Sequence, residues 1–180
     1  MGRLLTVGHG TLDRSGLSAL FTDAHVALVV DVRRFPGSRH NPDVSTEAMA
    51  QWLPDAGFHY RWEQRLGGRR RLTSEDDPDA DRWWRVEAFR AYAAHTRTPE
   101  FLTALDDLAM DVAAHRTTAI MCSESVWWRC HRRLVADAAA LLRGIDVAHL
   151  AHDGRTTPHE PSAGVRVADG LLRYDAAAEE

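Results

Sequence analysis

Three short segments of the sequence concentrate the side chains that can move protons or hold anions. They are residues 8–11 (Gly-His-Gly-Thr), 31–41 (Asp-Val-Arg-Arg-Phe-Pro-Gly-Ser-Arg-His-Asn) and 122–133 (Cys-Ser-Glu-Ser-Val-Trp-Trp-Arg-Cys-His-Arg-Arg). His9 can exchange a proton near neutral pH, and Asp31 and Glu124 supply carboxylates for acid–base chemistry. We therefore take the three segments together as the candidate functional site.

The first segment allows a functional and a structural interpretation. Its two glycines let the backbone turn sharply and approach a ligand, and His9 stands between them. The same residues also suit an ordinary turn between a strand and a helix. They do not match the longer glycine pattern of dinucleotide sites, so they predict no nucleotide cofactor.

The second segment opens with an acid directly after an apolar stretch. A carboxylate at the end of a buried strand is costly unless it is paired or hydrogen-bonded. Asp31 is therefore either a catalytic base or the ion-pair partner of Arg33 or Arg129. The other arginines of the segment, Arg34 and Arg39, have the chemistry to bind oxyanions, or they belong to a solvated loop.

The third segment runs from a predicted strand into a predicted helix. The amide groups at a helix N-terminus favour an anion, and Glu124 can act there as an acid or a base. Trp127 and Trp128 offer faces on which a base could stack. The structural alternative is that Cys122 is an inert buried cysteine and that the tryptophans belong to the core.

The charges of the chain are segregated. The net charge of the 180 residues is −4, which argues against a general polyanion binder. All 22 basic residues are arginine, and they cluster in the second and third segments and in residues 61–71. Residues 64–82 are predicted to form a long mobile loop, whose arginines either reach an anionic ligand or pair with acids of the same loop. These arginines are Arg69, Arg70 and Arg71, and the acids are Glu75, Asp76 and Asp77.

Predicted strands and helices alternate through most of the chain. Apolar runs predict five strands, at 3–7, 27–32, 58–62, 117–122 and 146–150, and helical periodicity predicts helices that include 45–56, 83–95, 98–112 and 129–143. This pattern predicts one α/β domain over residues 1–180, with a mainly parallel five-stranded sheet flanked by helices on both faces in a three-layer sandwich. Asp169-Gly170 predicts a small C-terminal β-hairpin, and residues 175–180 are predicted to be a frayed tail.

The predicted topology brings the three segments to one place. The carboxyl ends of parallel strands meet at one edge of a sheet, and open α/β sheets bind their ligands at that edge. The segments follow the first, second and fourth predicted strands. We therefore expect them to line one cleft, with His9 and Glu124 on the same side of the molecule.

Together with residues 66–68 (Leu-Gly-Gly), these segments resemble the domain-of-unknown-function 488 family. Its members share a Gly-His-Ser/Thr turn, an Asp-Val-Arg run continuing into Pro-Gly-Ser, a Leu-Gly-Gly segment, and a Cys-x-Glu stretch ending in Trp-Arg-Cys-His-Arg. The resemblance covers roughly residues 3–150 in order and departs at Gly10, which affects the geometry of the turn. Most members have no assigned activity, and some are similar to DNA glycosidases that remove 5-hydroxymethyluracil.

The resemblance implies a base-excision hydrolase that cleaves the N-glycosidic bond of a flipped modified pyrimidine in DNA, with 5-hydroxymethyluracil as the expected base. Such an enzyme needs a pocket with stacking walls and a carboxylate near the sugar. We expect Asp31, Glu124 and His9 to be catalytic. The expected base pocket consists of Gly8, Thr11, Phe35, Ser38, Cys122 and Trp127. The expected phosphate contacts are Arg33, Arg34, Arg39, Asn41, Arg69, Arg70, Arg71, Arg129, His131 and Arg132.

Three other interpretations stay open. A cysteine-dependent phosphatase or rhodanese-like enzyme also has a cysteine between a parallel strand and a helix, but the phosphatase loop is one residue shorter than the six residues between Cys122 and Arg129. A metal site from Cys122, Cys130 and His131 lacks a short-spaced cysteine motif, and neighbours on a helix point apart. A non-catalytic nucleic-acid-binding module would use the same arginines and tryptophans.

The expected partner is DNA carrying a modified base, and the sequence indicates no cofactor, no metal and no obligate protein partner. No apolar run approaches the ~20 residues of a membrane span, and the first residues lack the long apolar core of a signal peptide. Two cysteines do not make a secreted disulfide framework. The sequence therefore predicts a cytoplasmic protein that does not bind a membrane.

Overall fold

The computed structural model describes residues 2–37 and 39–176, and these form an α/β fold around one mixed sheet. Five strands of the sheet are parallel, as the alternation of apolar runs and helical patterns predicts. They are β1 (Arg3–Gly8), β2 (Leu28–Asp31), β3 (His59–Trp62), β4 (Thr117–Cys122) and β5 (Val147–Leu150).

The sheet has six strands in the order β3-β2-β4-β1-β5-β6, so the expectation of five is wrong by one. The additional strand, β6 (Thr156–Pro158), pairs antiparallel with β5 and lies outside the five predicted strands. All three of its residues are exposed, so it carries no apolar alternation that would reveal it. Proline is tolerated there because β6 is an edge strand.

Five helices connect the strands, and their ends follow the local capping residues. They are α1 (Arg14–Asp23), α2 (Thr46–Asp55), α3 (Glu87–His95), α4 (Pro99–Ala114) and α5 (Arg132–Arg143). Ser45 caps α2 and Thr98 caps α4 by accepting hydrogen bonds from backbone amides, and these two residues are the first of the predicted helices 45–56 and 98–112. Gly144 ends α5 in the left-handed conformation.

Two helices begin later than predicted. The helix predicted from residue 83 begins at Glu87, because the Trp83 amide donates to the Tyr174 carbonyl and the Trp84 ring packs against Phe89 and Tyr174. The helix predicted from residue 129 begins at Arg132, because Trp127–Arg129 forms a separate 3-10 turn and the next backbone unit is extended.

Apolar side chains of the sheet alternate between two cores. One face packs Leu5 and Val7 of β1 against α1 and α2, whereas the other packs Leu4 of β1 and Ile120 of β4 against α3, α4 and α5. Helices therefore cover both faces of the sheet, and the carboxyl ends of its strands stay free to carry polar groups.

The C-terminal hairpin forms where the sequence predicts it. Strands β7 (Arg166–Ala168) and β8 (Leu171–Arg173) pair antiparallel, and both turn residues, Asp169 and Gly170, have positive φ. The predicted frayed tail starts at Asp175, which forms an ion pair with Arg166, and residues 177–180 lie outside the described part of the chain.

The predicted loop 64–82 begins with a 3-10 turn, Gln64–Leu66, and continues through bends and turns without a longer helix or a strand.

None of the helices in the described ranges combines the length and the apolar character that a membrane span requires.

Candidate functional site

The three segments meet at the carboxyl edge of the sheet. Gly8 lies opposite Cys122 in the β1–β4 register, and Asp31 lies opposite Met121 in the β2–β4 register. The His9 amide donates to the Cys122 carbonyl over 2.8 Å. A Cβ on Gly8 would lie 1.8 Å from the Glu124 carbonyl oxygen, so this close approach requires glycine. His9 and Glu124 therefore belong to the same edge of the sheet.

A cleft of about 400 Å³ opens at this edge. Segments 31–41 and 122–133, the loop after β3 and helix α3 all contribute to its walls. Its lining residues are Arg33, Arg34, Phe35, Gly68, Arg69, Val86, Ala88, Phe89, Tyr92, Cys122, Ser123, Glu124, Arg129, Cys130 and His131. A volume of this size suits a small ligand such as one nucleotide base and its sugar.

Asp31 is fully buried and its carboxylate is occupied. Arg33 donates to Oδ1 over 2.8 Å and to Oδ2 over 2.6 Å, and the Tyr60 hydroxyl donates to Oδ2 over 2.9 Å. Burial and the Asp31 charge raise the pKa of Tyr60, so its hydroxyl stays protonated and keeps donating. Of the two sequence alternatives, Asp31 is thus the partner of Arg33, and it does not line the cleft.

His9 contacts Arg33 and does not line the cleft. Its Nδ1 donates to the Gly10 carbonyl over 2.9 Å, which leaves Nε2 to accept from the Arg33 guanidinium over 3.3 Å. Burial lowers the pKa of His9, which keeps the ring neutral. In this arrangement His9 holds Arg33 in place and does not face a ligand.

Glu124 is the carboxylate that faces the cleft. Its side chain is exposed, and its Oε1 accepts one hydrogen bond, from the Val126 amide over 2.9 Å. Among the described residues, no arginine or histidine forms an ion pair with Glu124. Glu124 is also the only carboxylate among the described residues that line the cleft. Glu124 can therefore act on a bound ligand, whereas the Asp31 carboxylate binds Arg33 and Tyr60.

Cys122 and Cys130 lie at the floor of the cleft with their sulfur atoms 2.8 Å apart. The Arg132 guanidinium, 1% exposed, donates to Cys122 Sγ over 2.5 Å and also to the carbonyls of Glu124 and Ser125. Burial raises the pKa of Cys122, but the Cys130 hydrogen bond and Arg132 outweigh it and bring the pKa to about 7. The arginine beside the cysteine is thus Arg132, not Arg129.

His131 closes the floor of the cleft next to the cysteines. Its Nε2 donates to the Val32 carbonyl over 3.1 Å, so Nδ1, 3.5 Å from Cys130 Sγ, is the unprotonated nitrogen. Cys130 and His131 are neighbours before α5 rather than on it, and they touch instead of pointing apart. In the part of the chain that is described, no group of three or more His, Cys, Asp or Glu residues could hold a metal ion.

The state of His131 predicts a loss of stability in mild acid. Burial lowers its pKa to about 4, below the ordinary value of about 6.5, so between these values the unfolded chain takes up a proton that the folded chain does not. We expect the free energy of unfolding to fall as the pH is lowered from 6.5 towards 4, and His131→Gln to flatten this dependence in urea titrations. His40→Gln, which changes an exposed histidine, is the matched control; a His131→Gln profile parallel to that of wild type would contradict a neutral His131.

The aromatic wall of the cleft differs from the predicted one. Trp127 stacks on His149 with ring centroids 3.8 Å apart and does not line the cleft. Phe35, 60% exposed, does line it, together with Phe89 and Tyr92 from α3. Sequence reasoning places Phe35 in the base pocket but misses the α3 residues, because their segment carries no polar motif.

The remaining predicted pocket residues are scattered. Gly8 packs against the backbone of Glu124 and Ser125 and does not line the cleft. Thr11 is exposed and does not line the cleft either. Ser38 lies outside the described residues. Gly68, which sequence reasoning mentions only within the family motif, lines the cleft and packs against the His131 ring.

Several predicted phosphate ligands are occupied by the protein itself. Arg33 is 6% exposed and bound to Asp31, Arg132 holds Cys122, and both ring nitrogens of His131 face protein groups. The Asn41 amide donates to the Leu12 carbonyl over 2.7 Å. We therefore remove Arg33, His131 and Arg132 from the set of direct phosphate contacts.

The arginines that stay accessible flank the cleft. The guanidinium carbons of Arg34 and Arg69 lie 5.3 Å and 5.9 Å from the centroid of the Phe35 ring, and Arg129 is exposed and also lines the cleft. Arg39 is exposed as well. Arg34 and Arg69 therefore place positive charge beside Phe35 in the cleft.

The loop 64–82 carries a second, adjoining groove. Arg69, Arg70 and Arg71 line it, and among the described residues none of them forms an ion pair with the acids of the loop. Asp76 accepts from Thr73 instead, and Arg70 donates to the carbonyls of residues 64, 65 and 67. Arg70 therefore stabilises the start of the loop, whereas Arg69 and Arg71 are exposed.

A protein-family model matches the chain. The model of the family described as "Domain of unknown function DUF488" matches residues 16–139, which is more than half of the chain. No curated protein matches the chain. No solved structure matches it.

Proposed function

The chain belongs to the DUF488 family, and we propose that its cleft excises a modified pyrimidine from DNA by hydrolysis of the N-glycosidic bond. The family resemblance suggests 5-hydroxymethyluracil as the base. The observation that carries the proposal is the combination of one unpaired carboxylate, Glu124, with an exposed aromatic ring, Phe35, in a cleft flanked by arginines. This combination matches the needs of an enzyme that holds a flipped nucleotide.

The proposed step needs no group beyond water and Glu124. The bond between C1′ and the base nitrogen breaks, its electron pair leaves with the base, and positive charge develops on the sugar. The Glu124 carboxylate stabilises this charge and accepts a proton from the water whose oxygen bonds to C1′. The departing base takes up a proton from solvent, and Glu124 releases to solvent the proton that it accepted, so the products are the free base, an abasic site and the regenerated carboxylate.

The other residues of the cleft have positioning roles in this proposal. The flipped base stacks on Phe35, which reaches into solvent and can meet an extrahelical nucleotide. Arg34, Arg69 and Arg129 contact the flanking phosphates. Asp31 and His9 act through Arg33, whose buried guanidinium fixes the loop that carries Phe35.

The proposal is tested on duplexes that each contain one modified pyrimidine. The protein is incubated with each duplex, and alkaline cleavage reveals abasic sites on a denaturing gel. We expect abasic sites with the 5-hydroxymethyluracil duplex and none with the unmodified duplex. Binding without base release on every duplex would instead support a non-catalytic nucleic-acid-binding module.

The loop arginines give a prediction about affinity. The double variant Arg69→Ala, Arg71→Ala is expected to bind DNA more weakly, and its log affinity is expected to fall less steeply with log salt, by about 0.9 for each lost phosphate contact. Excision from a saturated complex should change less, since these residues position DNA. Affinity titrations at several salt concentrations measure both effects.

The matched control removes the same two charges elsewhere. Arg155 and Arg166 pair with exposed or partly exposed aspartates and do not line the cleft, so Arg155→Ala with Arg166→Ala should keep the wild-type salt slope. Arg70 is retained in both proteins because it holds backbone carbonyls of the loop. An unchanged slope in the Arg69, Arg71 variant would leave the loop without a role in DNA binding.

A second candidate function is a cysteine-dependent enzyme, which the lowered pKa of Cys122 favours. Two contacts count against it. The Arg132 guanidinium is bound to backbone carbonyls and is not free to hold a substrate oxyanion, and Cys122 Sγ is already hydrogen-bonded to Cys130 Sγ at 2.8 Å. Glu124 therefore remains the preferred catalytic group.

A further inference from the structure

The two cysteines of the cleft floor have no role in the glycosidase proposal, yet their surroundings are built for chemistry. Their sulfur atoms are 2.8 Å apart, and they are the only two cysteines of the 180-residue sequence. Both line the cleft, so a molecule as small as a peroxide can reach them although they are 2% and 6% exposed. A buried cysteine pair with a merely structural role needs neither a cation nor a proton acceptor beside it.

Each sulfur atom has a different partner. Arg132 donates to Cys122 Sγ and so favours the thiolate at Cys122. The hydrogen bond to Cys122, followed by burial, raises the pKa of Cys130, so Cys130 remains a thiol. The unprotonated Nδ1 of His131 lies 3.5 Å from Cys130 Sγ and can accept a hydrogen bond from its thiol.

We propose that Cys122 and Cys130 form a peroxide-reactive dithiol, in which Cys122 is oxidised first and Cys130 resolves it as an intramolecular disulfide. This division of labour follows from the contacts: a thiolate attacks a peroxide, and a neighbouring thiol condenses with the product. The inference rests on the cysteine pair alone and is independent of the proposed base excision.

The two steps balance in atoms and electrons. The Cys122 thiolate attacks one oxygen of hydrogen peroxide, the O–O bond breaks, and the departing hydroxide takes a solvent proton and leaves as water. Sulfur loses two electrons and the peroxide gains them, which gives a sulfenic acid. Cys130 sulfur then attacks Cys122 sulfur, the S–O bond breaks, and the departing hydroxide takes the Cys130 proton and leaves as water.

The experiment uses the full chain, reduced and freed of reductant. After treatment with one equivalent of hydrogen peroxide, the protein is denatured, alkylated with iodoacetamide and weighed by intact mass spectrometry. We expect a monomer about two mass units lighter than the reduced chain, since a disulfide lacks two hydrogens, with no alkyl group added; dithiothreitol should restore two alkylation sites. Two alkyl groups after peroxide, or disulfide-linked dimers, would overturn the proposal.

Two single variants assign the roles. Cys130→Ser should stop at the sulfenic acid, which dimedone traps at Cys122, whereas Cys122→Ser should leave Cys130 unoxidised under the same conditions. The opposite assignment, with dimedone on Cys130, would overturn the proposed order.

A rate comparison guards against variants that fail to fold. Wild-type protein at pH 7 should consume peroxide about tenfold faster when folded than when unfolded in urea, because only the folded chain stabilises the thiolate. Equal rates in the two states would show that the site around Arg132 does not activate Cys122, and would overturn the proposal even if a disulfide forms.

Discussion

Glu124→Gln is expected to lower the rate of base excision by about 100- to 10,000-fold, the range that a catalytic acid or base contributes. Glutamine keeps the side-chain oxygen that accepts from the Val126 amide, so the local turn is retained while the charge and the proton acceptor are lost. Single-turnover assays with enzyme in excess measure the rate of bond cleavage separately from binding.

The matched control for this variant is Glu47→Gln. Glu47 is an exposed carboxylate in the first turn of α2, and the same substitution there should leave excision unchanged. A wild-type single-turnover rate in Glu124→Gln would remove Glu124 from the mechanism.

Cys122→Ser separates the two candidate enzymes. A glycosidase needs the carboxylate, so the serine variant should retain much more activity than Glu124→Gln. Complete loss in Cys122→Ser, with the circular dichroism spectrum of the folded protein intact, would favour the cysteine-dependent enzyme. The comparison is informative because both side chains line the same cleft.

Asp31→Ala is expected to destabilise the fold by about 3–5 kcal/mol, the cost of leaving one partner of a buried ion pair uncompensated. The substitution leaves the Arg33 guanidinium, 6% exposed, without its two-point partner and removes the acceptor of the Tyr60 hydroxyl. Urea denaturation followed by circular dichroism measures the change in the free energy of unfolding.

Two further variants sharpen this test. Asp31→Asn keeps one hydrogen-bonding oxygen but loses the charge. Its free energy of unfolding should therefore lie between that of wild type and that of Asp31→Ala. Asp153→Ala removes an exposed partner of Arg155 and should leave the denaturation midpoint nearly unchanged. A loss below about 1 kcal/mol in Asp31→Ala, as for exposed pairs, would contradict the buried ion pair at the base of the cleft.

The layers of the fold and the edge at which the site lies follow from patterns in the sequence. Apolar runs alternating with helical periodicity require a parallel sheet covered on both faces, and parallel strands place the residues that follow them at one edge. Local signals also fixed features that depend on near neighbours, such as the Ser45 cap and the Asp169-Gly170 turn. The strand β6 could not be predicted from the sequence, because its three residues are all exposed and show no alternation of apolar and polar side chains.

Which polar side chains are free to meet a ligand depends on how the chain packs and cannot be read from sequence patterns. Asp31 and Glu124 look alike in the sequence, yet one is buried against Arg33 and the other faces the cleft. Arg129 and Arg132 also look alike, but only Arg132 turns inward to Cys122. An arginine side chain is long and flexible, so its partner is set by the atoms that packing brings within reach and not by its position along the chain. Phe89 also lines the cleft, although no sequence motif includes it. Its position depends on how α3 packs against its neighbours, because packing decides which residues of a helix face the cleft.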